Sequence, residues 1–293
     1  MSISRHLLPA AALASLAACA PVADPAATPS AAIEPATGAP GFLLTVERST
    51  PEQRAAARDL LLAEFARLGI PAQARPYATS DFPGVRVRNG QILTGANVVA
   101  TLPATTDSAR HIVLGAHFDT VPGSPGVDDN GSGVQIVLSV AKALAALDTR
   151  DATIHFVFFD QEELGLIGAQ VNAARWKTGT VPLEAMHNID MIGWDSDDDG
   201  VIEFDSNSAE VTALYQRSAE GLPVSLLVTT YPNTDHEAYR RQGFAVASIS
   251  EEFEDGSQNP DYHQPGDTEV ELGYFRAAET LMIRVFTALV AST

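Results

Sequence analysis

The chain alternates short continuous apolar runs with longer stretches whose apolar residues recur at helical spacing. "AQARPY", "ANVVATLP", "HIVLGA", "ATIHFVFFD", "MHNIDMIGW" and "FAVASIS" have the length of strands. "HIVLGA" and "ATIHFVFFD" are almost uniformly apolar, as strands covered on both faces are. "TPEQRAAARDLLLAEFARLGI" opens with Thr50 at a capping position and Pro51 in the first turn. It places apolar side chains at Ala57, Leu60, Leu61, Phe65 and Leu68 and closes at Gly69, a complete helix signal. "SGVQIVLSVAKALAALD" is apolar nearly all round, the pattern of a sandwiched helix. "EELGLIGAQVNAARW", "SAEVTALYQRSAEGL", "DHEAYRRQG" and "EVELGYFRAAETLMIRVFTALVAS" complete the helical set. Strands alternating with helices predict an α/β fold. The expectation is a single domain over residues 42–293, with a mostly parallel twisted central sheet and helices on both faces.

The first 41 residues break this pattern. "MSISRHLLPAAALASLAACA" has a short basic start at Arg5, an apolar stretch from Leu7 to Leu16, and then small residues. The stretch is too short to span a bilayer and reads as an export signal over residues 1–18. Leu16 to Cys19 resembles the bacterial lipobox, whose cysteine becomes the lipidated first residue of the mature protein. The other reading is an ordinary cleavage site at Ala18-Cys19-Ala20. Cys19 is the only cysteine, so no intrachain disulfide forms. Residues 19–41 are rich in alanine and proline and read as a semi-rigid tether. The expected product is an exported lipoprotein, anchored in a membrane and facing the periplasm or cell surface. With ordinary cleavage it is periplasmic or secreted. Membrane contact is expected only through a lipidated Cys19.

Charge narrows the partners. Eighteen basic and 37 acidic residues leave a formal net charge of −19, which repels phosphate backbones and argues against nucleic-acid binding. The acids are not evenly spread. His117 and Asp119 follow "HIVLGA", Asp160 to Glu163 follow "ATIHFVFF", and Asp190 ends "HNID". Open α/β sheets form their sites beyond the carboxyl ends of strands, so these groups are expected to converge on one edge. Imidazole and carboxylate are zinc ligands, and a catalytic zinc keeps a position for water. Two zincs about 3.5–4 Å apart share a carboxylate. A further carboxylate must take the proton of the attacking water, and each ligating imidazole needs an acceptor on its other nitrogen.

"GAHFDTV", "GVDDNGSG", "EELGLIGA", "NIDMIG" and "YHQPGD", spread in this order over residues 115–267, resemble the successive motifs of the M28 family of zinc aminopeptidases. The resemblance implies the zinc aminopeptidase/phosphorylase-like fold and two zinc ions. It implies that His117 and Asp190 bind one zinc, Glu163 and His263 the other, and that Asp129 bridges them. Glu162 is then the general base and Asp119 the group that orients His117. Tyr262 is a donor to the developing oxyanion, as in some members. The family's peptide bond after the bridging aspartate is typically cis, which here joins Asp129 to Asn130. Asp128 has no assigned role and is expected to tolerate change. The implied reaction is hydrolysis of the N-terminal peptide bond of peptides with a free N-terminus. The alternatives are a single-zinc glutaminyl-peptide cyclotransferase of the same fold, a carboxypeptidase or dipeptidase variant, and a non-catalytic binding module. A binding module would be expected to have lost ligands, and this chain keeps every one.

Other groups carry two readings each. "NTDHEAY" resembles the family's S-D-H segment, so Asp235 and His236 either order the substrate wall or cap the following helix. Asp195, Asp197 and Asp199 have spacing that ligates calcium, and an acidic turn between two strands explains them equally. Asp160 is expected to cap a helix or support the Glu162 loop. His111, His155 and His187 read as packing or surface residues. Glu251, Glu252, Glu254 and Asp255 either favour a basic substrate or face solvent.

Overall fold

The computed structural model describes residues 41–254 and 256–291. The export signal, Cys19, residues 19–40 of the tether and Asp255 lie outside the described residues. Thr50 caps helix α1 (Pro51–Arg67) in a reciprocal capping box with Gln53. The chain continues through β1 (Ala72–Ala78), β2 (Thr94–Leu102), β3 (His111–His117), α2 (Gly131–Ala145) and β4 (Thr153–Phe159). Then follow α3 (Ile167–Thr178), β5 (Ala185–Ile189), β6 (Val201–Ser206), α4 (Ala209–Ala219) and β7 (Ser225–Val228). Helix α5 (His236–Arg241), β8 (Val246–Glu251) and α6 (Leu272–Val290) complete the series.

Among the described residues, eight strands form one sheet in the order β1-β2-β4-β3-β5-β8-β6-β7. The expected α/β sheet with helices on both faces is present, and its pairing is mixed. The centre, β4-β3-β5-β8, is parallel, and β1, β2 and β6 join it through antiparallel pairs. Antiparallel neighbours need no crossover helix, and no α-helix intervenes between β1 and β2. The short strand β7, too brief to show a pattern, pairs parallel to β6 at the edge.

The larger core packs α1, α2 and α6 on one face, through residues such as Phe65, Val137, Phe275 and Phe286. Tyr215 of α4 joins it. The smaller core packs α3 and α5 on the other face, around Val113, Val157, Ala173 and Tyr239. Leu60, expected on the buried stripe of α1, is exposed, whereas Ala57, Leu61 and Phe65 are buried. Helix α3 begins at Ile167, five residues after Glu162. Gln161 and Leu166 have positive φ, and so does Gly165, so the segment between β4 and α3 is a turn. No helix among the described residues is long and apolar enough to cross a membrane.

Candidate metal centre

The exit ends of the parallel strands deliver the predicted groups to one place. His117 is the last residue of β3, Asp190 follows β5, and Glu162 and Glu163 follow β4. Asp129 arrives through the loop from β3 to α2, and His263 through the loop from β8 to α6. His117 Nε2 lies 3.2 Å from Asp129 Oδ1 and 3.2 Å from Asp190 Oδ1. His263 Nε2 lies 3.0 Å from Asp129 Oδ2 and 3.2 Å from Glu163 Oε2. Asp129 therefore turns one oxygen toward each histidine. His117, Glu162 and Glu163 also offer atoms within 4.8 Å of one another.

The loops that hold these groups are hydrogen-bonded throughout. The bond between Asp129 and Asn130 is cis, as the resemblance implied. Asn130 caps α2 by accepting the Gly133 N–H (3.0 Å), accepts the Met191 N–H (3.2 Å), and donates to Ile189 O (2.9 Å). It thereby joins the Asp129 loop to the end of β5, beside Asp190. Gly126 has φ +61°, and a Cβ there would collide with Asp129 O and Thr120 Cγ2. The Asp119 carboxylate accepts the amides of Glu162 (2.9 Å) and Glu163 (3.3 Å). The acceptor nearest His117 Nδ1 is the Asp119 carbonyl at 3.3 Å, with the carboxylate at 3.7 Å. Asp119 thus holds the acidic turn through its side chain and meets His117 chiefly through its backbone.

Three supporting residues carried no clear signal in the sequence. Arg48 is buried, and its guanidinium donates to the carbonyls of Phe118, Val46, Pro125 and Gly126 at 2.6–2.8 Å. Nothing in its neighbourhood along the chain marks it. Asp267, last residue of "YHQPGD", accepts the amides of Asp128 (2.8 Å) and Asp129 (3.1 Å). Glu251, expected to face substrate or solvent, is fully buried at the end of β8. It accepts the amides of Trp194 (2.9 Å) and Asn259 (2.8 Å), and burial, then the charge of Asp128, pushes its carboxyl well above the usual range. The expectation that Asp128 is unconstrained fails with it. Asp128 is fully buried and accepts the Asn259 side-chain amide at 3.0 Å.

The remaining predictions divide. Asp160 joins α1 to the sheet, paired with Arg54 Nε (2.7 Å) and Arg58 Nη1 (3.3 Å), and it accepts the Ala96 N–H. His236 meets Thr234 Oγ1 (2.6 Å) and Asp205 (3.2 Å) and does not join the cluster. Asp235 precedes α5 without capping it, is fully buried, and among the described residues has no hydrogen bond to either carboxylate oxygen. Tyr262 is 38% exposed and lays its ring on His263, with centroids 3.8 Å apart. His187 packs in the core with Nδ1 2.9 Å from the Tyr215 hydroxyl. Asp195, Asp197 and Asp199 bring oxygens within 4.8 Å of one another. Asp195 accepts the Gly200 N–H and Asp199 the Val201 N–H, so these two acids serve the turn itself.

The electrostatics fit a cation. Burial pushes the carboxyls of Glu162 and Asp190 upward, and that of Glu163 to about 7. Burial opposes ionisation of Asp129 too, but hydrogen bonds from His117 and His263 pull its pKa below the usual carboxylate range. Burial likewise opposes charge on His263, yet Asp129 and Glu163 hold it up at about 10. Glu163 Oε1 is buried without a hydrogen-bond partner among the described residues. Ligand atoms 2.0–2.2 Å from one tetrahedral zinc are roughly 3.3–3.6 Å apart, slightly more than the four separations of 3.0–3.2 Å here. Donor types, spacing and the orphaned oxygen all suit zinc.

Comparison with known proteins agrees. A probable leucine aminopeptidase of Trichophyton verrucosum (strain HKI 0517) is 30% identical over 192 residues, covering 59% of this chain and 50% of that protein. Aminopeptidase YwaD of Bacillus subtilis (strain 168) is 31% identical over 208 residues, covering 63% and 46%. The chain thus spans about half the length of these curated relatives. The solved aminopeptidase from Aneurinibacillus sp. strain AM-1 superposes with a TM-score of 0.71 over 86% of this chain and 92% of that one. At 16% identity it establishes the likeness of fold. Residues 97–283 match the model of peptidase family M28, and they include every group gathered at the centre. The chain belongs to peptidase family M28.

Proposed function

We propose that this protein is an exported zinc aminopeptidase that hydrolyses the first peptide bond of peptides with a free N-terminus. The observation that carries the reading is Asp129, with one oxygen 3.2 Å from His117 Nε2 and the other 3.0 Å from His263 Nε2. One zinc would be held by His117, Asp190 and Asp129, and a second by Glu163, His263 and Asp129. Bound zinc supplies a polarised carbonyl and a water acidic enough to lose its proton near neutral pH. Glu162 takes that proton on its carboxylate and returns it to the leaving amine. Burial raises the Glu162 carboxyl and so makes it a stronger base. The Tyr262 hydroxyl donates to the carbonyl oxygen as charge develops there. The surrounding acids attract the substrate's ammonium group. Asp195, Asp197 and Asp199 are left outside the assignment, since the turn employs two of them. Export rests on the leader-like residues 1–18, with anchoring through Cys19.

The test joins metal content to activity. The purified chain should hold two zincs and cleave aminoacyl reporters, lose activity to a chelator, and regain it with zinc. One zinc together with cyclisation of N-terminal glutamine would replace the reading with a glutaminyl cyclase. Two zincs with cleavage only at the carboxyl end, or only of dipeptides, would change the substrate class.

A further inference from the structure

A cavity of about 190 Å³ opens on the α3 side of the sheet. Its lining includes Arg75 of β1, His111 of β3, His155 of β4, and Asn172, Arg175 and Trp176 of α3. His111 begins β3 and His117 ends it. Six residue steps of strand separate them, so the cavity lies about 20 Å from the metal centre along the strand direction.

The charge of this cavity runs against that of the molecule. In a chain of net charge −19, two guanidinium groups converge here. No Asp or Glu among the described residues forms an ion pair with either. The Arg75 side chain makes no hydrogen bond among the described residues, its backbone pairing with β2. Arg175 donates through Nη2 to Pro76 O (2.8 Å) and faces the Phe82 ring, but its Nη1 is buried without a partner among the described residues. Burial, and then the charge of Arg75, disfavours the Arg175 cation. A position in the last turn of α3 complements the helix dipole and partly explains Arg175. It does not explain Arg75, which comes from a strand.

The neutral groups are arranged to match. Asn172 is buried, and Tyr239 donates to its Oδ1 at 2.7 Å, which leaves the amide Nδ2 for another acceptor. His155 is held by His111 (3.0 Å) and Thr101 (3.3 Å), and burial brings it down to about 4, so it is neutral at pH 7. Trp176 stands edge-on to His155, with centroids 5.0 Å apart, and Val99, Val157 and Val181 complete an apolar wall. Donors without acceptors at one side of an apolar cavity are the recognition elements of an anion with an organic body.

We propose that this cavity is a binding site for a small organic anion. Arg75 and Arg175 hold its carboxylate, with the Asn172 amide beside them, and Trp176 and the valines hold its body. The site is separate from the metal centre and does not depend on the reaction there.

The test uses the zinc-loaded full chain, with benzoate as probe, benzamide as its neutral counterpart, and inorganic phosphate as an anion without a body. Calorimetry should show benzoate binding in the millimolar range or tighter, with benzamide at least tenfold weaker. Losing one charge-assisted contact should weaken benzoate about tenfold or more in Arg75→Gln. The Arg75 side chain has no hydrogen bond among the described residues to lose and lies far from the metal centre, so folding and kcat/KM on an aminoacyl reporter should stay unchanged. Arg175→Gln should behave alike, with a melting scan to check folding. Benzoate binding unaltered in Arg75→Gln would overturn the proposal, because the carboxylate would then lie elsewhere, the zincs included. Binding of phosphate alone would overturn the organic-anion assignment. No binding of benzoate at millimolar concentration would remove the site.

Discussion

Asp128 and Asp129 are adjacent and identical in kind, yet they do different work. Asp129 faces two histidines, while Asp128 is turned away into a buried network with Asn259 and Glu251. Burial, then the charge of Asp267, raises the Asp128 carboxyl to about 7. Asp128→Ala would leave the buried Asn259 amide without its acceptor and open a cavity, and should cost about 2 kcal/mol or more. Urea unfolding of the zinc-loaded protein measures it, and an unchanged midpoint would return Asp128 to the tolerant role its sequence position gave it. If Glu162 is the base as proposed, Glu162→Gln keeps its shape and removes the proton acceptor. It should lower kcat by about 10²–10⁴ while zinc content stays the same. Near-normal turnover in that variant would assign the base elsewhere. His187 tests acid stability: burial lowers it from 6.5 to about 3. Between those values the unfolded chain binds the extra proton, so stability is lost as pH falls from 6.5 toward 3. His187→Gln should flatten the fall in Tm over that range relative to wild type.

At the scale of elements, the loop from β3 to α2 decides the geometry of the centre. It must turn tightly enough to return Asp129 to the end of the strand that carries His117. Gly126 makes that return possible, since a side chain there meets Asp129 O and a non-glycine residue resists φ +61°. Gly126→Ala should displace the loop and reduce zinc retention, while circular dichroism still reports the α/β fold. Full zinc occupancy in that variant would show that the loop yields more readily than its packing implies. The turn after β4 contributes in a different way. Its acids are presented by a left-handed turn whose amides are tied to Asp119, so their positions depend on β3 as well as β4. The motif "EELGLIGA" was legible as chemistry, but its first five residues resembled helix. Propensity favours helix for Glu and Leu, and positive φ at Gln161, Gly165 and Leu166 overrode it.

For the whole molecule, the concentration of buried acid at one edge ties stability to the metal. Asp129 lies close to Asp190 in one group and to Glu163 in another, and Asp119, Glu162 and Asp235 interact with the same acids. Zinc offsets their charge, so chelation should lower Tm. Without metal, the Glu163 carboxyl titrates near 7, above its ordinary 4.5. The folded state then binds the extra proton, and stability falls as pH rises through that interval. The gap in Tm between zinc-loaded and stripped protein should therefore widen from pH 5 to pH 8. An equal gap at both would mean that the acids do not carry the effect.

The sequence by itself determined the α/β class, the placing of acids and histidines after strands, and the ordered motifs of the M28 family. These are local properties: hydrophobic period reports which faces are buried, and motif spacing reports which loops carry chemistry. Only the tertiary structure decided that the sheet is mixed, because pairing direction depends on partners far apart in the chain. It also decided which acids are structural. Arg48, Asp267, Glu251 and Asp128 earn their roles from carbonyls and amides that become neighbours only when the loops close. The Arg75–Arg175 cavity belongs to the same class, since a strand and a helix 100 residues apart meet only across the sheet.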